Sequence, residues 1–158
     1  MDSVITVREA TTDDIDFIVD ANIRLAEESE DKQLDAERLL AGVRRGLGSP
    51  EMCRYFVCEV DGARAGTTMV TYELTDWRDG VIWWLQSVYV HPRFRQRGVF
   101  RTLYRHIESL ARGDDVTRAL RLYVKLDNAR AIRTYRAMGM APSGYEVYED
   151  DWSSEAHG

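Results

Sequence analysis

Cysteine and histidine are scarce in this chain of 158 residues, with two and three copies. Cys53 and Cys58 lie five apart in a stretch that reads as one strand, where their side chains point to opposite faces, so no bridge joins them. His91, His106 and His157 have no Cys or His at ligand spacing, and no metal site is legible. The longest unbroken apolar run, Val81–Leu85, falls far short of the ~20 residues that a membrane span requires. Met1-Asp2-Ser3 is not followed by the basic and apolar regions of a secretory signal. These absences lead to the expectation of a cytoplasmic protein that neither crosses a membrane nor relies on disulfides.

What is present is the composition of a globular protein: 44% hydrophobic and 30% charged residues. The length fits a single domain over residues 1–158, with 152–158 as a flexible tail. A fold of this size buries about 70% of the surface of its unfolded chain and needs no cross-link. The net charge of −6 is unevenly spread, because His91–Arg112 holds six arginines against Glu108 alone. An acidic chain with one basic segment points to a local anionic ligand and away from nucleic acid.

Val4–Arg8 alternates as a first strand and ends at Thr11-Thr12-Asp13-Asp14, a cluster that can cap a helix. Ile15, Ile18, Val19, Asn22, Leu25 and Ala26 mark one face of the first helix. A second covers Leu34 to about Arg45, burying Leu34, Leu39, Leu40 and Val43, and Gly46–Pro50 stops it. Arg54–Val60 and Ala63–Glu73, joined by Asp61-Gly62, form a hairpin; Val81–Val90 follows as a third strand of a meander and closes at His91-Pro92. Helices at Gly98–Ala111, with Val99, Leu103, Ile107 and Leu110 on one face, and Asn128–Met138 flank a short strand, Leu120–Lys125. Gly139 suits a left-handed C-cap, and Tyr145–Trp152 reads as a last strand. The class is α+β: a mixed sheet flanked by helices.

The most informative stretch is strand, then Arg95-Gln96-Arg97-Gly98-Val99-Phe100-Arg101, then helix. A glycine at such a turn lets backbone N–H groups converge on an external anion, and the helix dipole adds roughly half a positive charge. Arginines crowded at a helix start work against the helix unless an anion compensates them. The arrangement suits a pyrophosphate, although neither a dinucleotide fingerprint nor a P-loop is present.

Val88-Tyr89-Val90-His91-Pro92, then Arg95-Gln96-Arg97-Gly98-Val99-Phe100, then Asn128-Ala129-Arg130-Ala131-Ile132-Arg133-Thr134-Tyr135 and Gly139-Met140 together resemble the GNAT superfamily of N-acetyltransferases. The element order over residues 4–152 is similar as well, so the resemblance spans nearly the whole chain. It implies a mostly antiparallel sheet of six to seven strands, splayed between strands 4 and 5. Two residues depart from the pattern: Phe100 stands at a usual Gly or Ala, and Met140 at a common Phe. Phe100 still offers its backbone N–H, provided its ring points away from the ligand.

The resemblance also implies acetyl-CoA as co-substrate, its pantetheine arm paired with backbone of Val88, Tyr89 and Val90 as an added strand. Arg95, Gln96, Arg97, Gly98, Val99, Phe100 and Arg101 would surround the pyrophosphate, and Asn128 and Ala131 would meet the pantetheine or thioester end. An acceptor amine would attack the thioester directly in a ternary complex, with Tyr135 as general acid to the departing thiolate. Candidates for the base are Glu73 at a strand end and Glu27 or Glu28 of the first helix; Gln86 can only hydrogen-bond. Trp83 and Trp84 face opposite sides of their strand, so one packs in the core and the other, with Tyr72 or Trp77 near, lines the acceptor pocket. Aromatics within an acidic chain suggest a small cationic amine as partner. The alternatives are an acyl-CoA sensor without turnover and transfer to a protein or peptide amine, and Tyr145–Trp152 offers a surface for a homodimer.

Overall fold

The computed structural model describes residues 2–154, which form two compact units, one running to Lys125 and one beginning at Leu126. The expected tail therefore falls in part, at 155–158, outside the described residues, as does His157.

In the first unit a five-stranded sheet has the order β1-β2-β3-β4-β5. The strands are β1 (Ile5–Glu9), β2 (Cys53–Val60), β3 (Ala63–Thr75), β4 (Gly80–Val90) and β5 (Thr117–Leu122). The first four pair antiparallel, and β5 joins β4 in parallel. The turn between β2 and β3 is Asp61-Gly62, both at positive φ (50° and 83°), which matches the right-handed twist of the flanking strands.

Helices α1 (Ile15–Glu30) and α2 (Ala36–Leu47) cover one face, where Ile18 and Val43 pack with Cys53 and Tyr55 of β2. Helix α3 (Val99–Gly113) covers the other, with Val99, Leu103 and Ile107 buried and His106 edge-on to Phe56. The two cysteines report the same geometry. Cys53 donates to the Gly46 carbonyl of α2 and Cys58 to the Val99 carbonyl of α3, so both are free, buried and back to back. Burial pushes the Cys58 thiol up to about 11, which makes it a poor nucleophile at neutral pH.

One cluster ties the entry of α1 to the sheet. Thr11 caps a 3-10 turn, Thr12–Asp14, and Asp14 returns the bond by accepting from the Thr11 backbone N–H at 2.7 Å. The fully buried Asp14 carboxylate also accepts from Arg8 Nη1 and Nη2 at 2.8 Å and from Arg64 Nε at 2.7 Å, joining β1, the turn and β3, while Arg8 Nε donates to Glu59.

Several boundaries differ from the sequence reading. Leu34 precedes the α2 cap Asp35 and is exposed. Gly46 lies inside α2 instead of stopping it, and a Cβ there would come within 2.9 Å of the Tyr55 ring; the helix ends a residue later. Leu110 is partly exposed, Ala111 taking the buried place. The strand expected at Leu120–Lys125 is Thr117–Leu122, started earlier by the Val81 N–H donating to the Val116 carbonyl. Tyr145–Trp152 forms no strand among the described residues, so the sheet has five strands and not six or seven. Its apolar residues Val147, Tyr148 and Trp152 are exposed, which shows that β propensity makes no strand without a pairing edge.

The second unit holds α4 (Ala129–Ala137), capped by Asn128. It ends with Gly139 at φ +97°, where the Gly139 and Met140 amides donate back to the Arg136 and Tyr135 carbonyls.

Candidate active site

The sheet opens at the end of β4. Pairing with β5 runs from Val81 opposite Thr117 to Leu85 opposite Leu122, so Gln86–Val90 extends past the last rung of that ladder. A bulge sits at the opening: Thr67 faces Tyr89 and Met69 faces Gln86, leaving Ser87 and Val88 opposite Thr68 alone. Ser87 is held at φ +53°, unusual for a side chain inside a strand. The Thr68 hydroxyl secures the distortion by donating to the Gln86 carbonyl at 2.8 Å. Ser87 was not singled out from the sequence, and no residue type there signals a bulge.

The bulge resets the alternation of faces. Trp84 and Gln86 lie on the α1–α2 side, and so, three residues after Gln86, does Tyr89, whose hydroxyl donates to Glu28 of α1 at 3.2 Å. Val90 instead borders Val99 of α3 beside Gly66.

Beyond β4 a 3-10 turn, Pro92–Phe94, capped by His91, leads into Arg95. Gln96 (φ +62°) and Gly98 (φ +80°) are both left-handed and flank Arg97, after which α3 begins. Alternating backbone of this kind turns successive N–H groups to one side. The first amide bonded within the helix is that of Thr102, to the Gly98 carbonyl, so the amides of Val99, Phe100 and Arg101 point out of the helix end. A Cβ placed on Gly98 would meet nothing within 4 Å, so the cradle faces open space. The Phe100 ring lies 6.0 Å from that of Tyr104, one turn along the helix. The residues fit the pyrophosphate that the sequence suggested.

Arg93, Arg95 and Arg97 of this segment have partners within the protein. Arg95 donates through Nε to the Val90 carbonyl at 2.9 Å and through Nη2 to Glu28 at 2.8 Å. Arg97 reaches Ser3 and lies over the Phe94 ring, as does Arg93. The expectation of uncompensated cations is corrected at Arg95, which has a carboxylate of its own. Arg101 is exposed in the first turn of α3.

On the α1–α2 side of the opening, Trp84 stacks on Tyr123 with centroids 4.6 Å apart, and Arg121 lies over its ring. Arg121 also donates to the exposed Glu73 at 3.2 Å, and Gln86 donates to Thr71 at 2.6 Å. Trp83 is buried on the α3 side against Tyr72 and under Arg54, which donates to the Tyr72 hydroxyl. Trp83 and Tyr72 are thus packing residues, and Trp84 is the tryptophan at the opening; Trp77 is exposed in the loop between β3 and β4.

In the second unit, Asn128 Oδ1 accepts from the Ala131 N–H at 3.1 Å, which commits its carbonyl oxygen to the helix cap. Tyr135 sits one turn past Ala131, and burial pushes its phenol above the ordinary tyrosine value. Among the described residues no group of His, Cys, Asp and Glu is arranged to hold a metal, and no helix is long and apolar enough to cross a membrane.

A family model described as the acetyltransferase (GNAT) family matches residues 16–140. No curated protein matches. Among solved structures, a possible acetyltransferase from Clostridium difficile 630 is 37% identical, with a TM-score of 0.87 over 94% of this chain and 97% of its own. An aminoglycoside N-acetyltransferase solved with CoA is 16% identical, with a TM-score of 0.78 over 96% and 97%. A predicted acetyltransferase from Clostridium acetobutylicum, solved with acetyl-CoA, is 16% identical, with a TM-score of 0.72 over 98% and 100%. The last two likenesses are of fold.

Proposed function

Because the chain belongs to the acetyltransferase (GNAT) family, we propose that it moves the acetyl group of acetyl-CoA to the primary amine of a small cationic acceptor, by direct attack in a ternary complex. The observation that carries this reading is the loss of β4–β5 pairing beyond Leu85 and Leu122, beside the open cradle at Gly98. Strand backbone left without a β5 partner suits the amide-bearing pantetheine arm, which can add to Val88 and Tyr89 as a strand would. The Val90 carbonyl is engaged by Arg95. Amides of Gly98 to Arg101, at the positive end of α3, hold the pyrophosphate. The bulge at Ser87 lies at the opening, where a backbone N–H would stabilise charge growing on the thioester oxygen.

The acceptor reading rests on the acids Glu27, Glu30, Asp31 and Asp35, all exposed at and after the end of α1. The acidic end of α1 favours an ammonium, while the Trp84 ring is already covered by Tyr123 and Arg121. Glu73 would take the proton that the amine must lose, directly or through water, and Tyr135 would protonate the departing thiolate. A second reading, binding without turnover, draws on the fact that Glu73 already accepts from Arg121, and Glu28 from Arg95 and Tyr89.

Calorimetric titration with acetyl-CoA, coupled to a thiol-release assay over a mixed panel of amines, separates the two readings. Micromolar binding with release driven by cationic amines is the expected result. Binding without release from any amine favours the second reading, and acetylation of an anionic amino acid but of no cationic amine overturns the acceptor class. Gly98→Val is expected to weaken acetyl-CoA binding about tenfold or more, since a side chain in the left-handed region costs roughly 1–2 kcal/mol and shifts the amides. Unchanged affinity in that variant would place the pyrophosphate elsewhere.

A further inference from the structure

Arg95 opens the motif that resembles a phosphate-binding turn, yet its guanidinium is directed to the sheet and to α1. Nε donates to the Val90 carbonyl at the last residue of β4, and Nη2 donates to Glu28 Oε2 in the last turn of α1. The Tyr89 hydroxyl donates to the other oxygen of the same carboxylate at 3.2 Å, and the guanidinium lies over the Tyr89 ring at 5.4 Å. Four contacts thus converge on one carboxylate and one guanidinium, and they join three pieces of chain that the pairing of the sheet does not hold together.

Those three pieces matter for the cofactor. Val90 ends the strand that has left its β5 partner, so no ladder on that side fixes its position. Gln96 to Gly98, which aim the cradle amides, follow Arg95 directly and contain two left-handed residues, Gln96 being one that gains nothing from glycine's freedom. A turn of this conformation persists only when its surroundings determine it. The His91 N–H on the Ala65 carbonyl anchors the start of the turn, and the Arg95 brace anchors its middle.

We infer that Glu28 and Arg95 are positioning residues: Glu28 holds the Arg95 side chain against Val90, and this brace presents the amides of residues 96–101 to the pyrophosphate. Arg95 itself is then no phosphate ligand. The inference rests on the proposed acetyl-CoA binding, and it makes Glu28 a structural partner of the turn, unavailable as the general base.

The two roles for Arg95 predict opposite signs for a change at Glu28. If Arg95 served the phosphate, Glu28 would compete for it, so Glu28→Ala would tighten acetyl-CoA binding and steepen its salt dependence, one more cation meeting the anion. For the brace, Glu28→Ala weakens acetyl-CoA binding roughly three- to tenfold with the salt dependence unchanged, as expected when a partly exposed pair with added hydrogen bonds is lost. Glu28→Gln, which keeps a hydrogen-bond acceptor for Arg95, recovers part of the loss. Arg95→Met falls by a similar factor, and the double variant is no weaker than either single one, because the pair acts as a unit.

The decisive experiment is calorimetry of wild type and these variants with acetyl-CoA at two salt concentrations. It is paired with backbone 15N relaxation on the free protein, where the order parameters of residues 96–98 drop in Glu28→Ala. Tighter binding in Glu28→Ala, or unchanged affinity with unchanged order parameters, overturns the brace. Wild type that binds no acetyl-CoA overturns the proposed function instead, and the relaxation data on the free protein then still decide whether Glu28 orders the turn.

Discussion

If Tyr135 is the general acid proposed above, Tyr135→Phe is expected to lower turnover by about 10²-fold or more and to leave acetyl-CoA affinity nearly unchanged. The expected size is that of a general-acid contribution. A CoA thiolate leaving the tetrahedral intermediate has a conjugate acid similar to a free thiol, near about 8.5, whereas an ordinary phenol sits near about 10. An ordinary phenol already holds its proton at neutral pH, and burial pushes the Tyr135 phenol further up, which keeps the proton in place while making it a weaker acid. The residue regains its proton from solvent or from the acceptor's own deprotonation after each cycle. Phenylalanine keeps the ring and its packing but has no proton to give, so the loss appears in kcat and not in cofactor binding. Steady-state kinetics with calorimetry on the same preparation checks both halves. Unchanged turnover removes Tyr135 from the proton path, and equal losses of turnover and affinity make it a binding residue.

Asp14→Asn is expected to be the most damaging change to stability, at about 3 kcal/mol. The native carboxylate accepts four hydrogen bonds, two from Arg8, one from Arg64 and one from the Thr11 backbone, with no surface in water. An amide has one acceptor oxygen, and its NH2 group would face guanidinium donors, leaving Arg64 without its counter-charge and Arg8 with Glu59 alone. Both arginines keep part of their surface in water, which places the cost at the lower end for broken buried pairs. In a chain of this size that corresponds to a fall in Tm of about 6–12 °C.

The pH dependence has a definite sign. The Arg8 guanidinium, followed by the Thr11 amide and Arg64, holds the Asp14 carboxyl well below the usual carboxylate range, against the opposing effect of burial. A depressed folded value means that this stabilisation is complete above the unfolded value near about 3.9 and is lost as pH falls below it toward the folded value. The Tm gap between wild type and Asp14→Asn is therefore constant from neutral pH to about pH 5 and narrows below about pH 4. A gap under about 2 °C at pH 7, or one that widens in acid, would count against the cluster.

The elements were legible in the sequence where local chemistry and periodicity agree. Ile15 to Ala26 at helical spacing, Asp61-Gly62 between alternating strands, Gly98 before Val99 and Gly139 after Met138 each fall where the structure has a helix face, a hairpin turn, a helix entry and a left-handed cap. The opposed faces of Cys53 and Cys58 and of Trp83 and Trp84 follow from the two-residue period of a strand alone. The family, too, was readable from three short motifs in order.

Local grammar was readable from the residues alone: which segments are helix or strand, which residues turn the chain, and the order of the motifs. These depend on interactions a few residues long. The remainder depends on partners distant in the chain. Ser87 becomes left-handed because Thr68, on another strand, is one residue short of matching it. Arg95 turns from the expected anion because Glu28, 67 residues away, waits at the end of α1. Tyr145–Trp152 has a strand's composition and no strand's pairing. Hydrogen-bonding edges and buried charges choose among the conformations that composition permits, and that choice is made only when the chain has closed on itself.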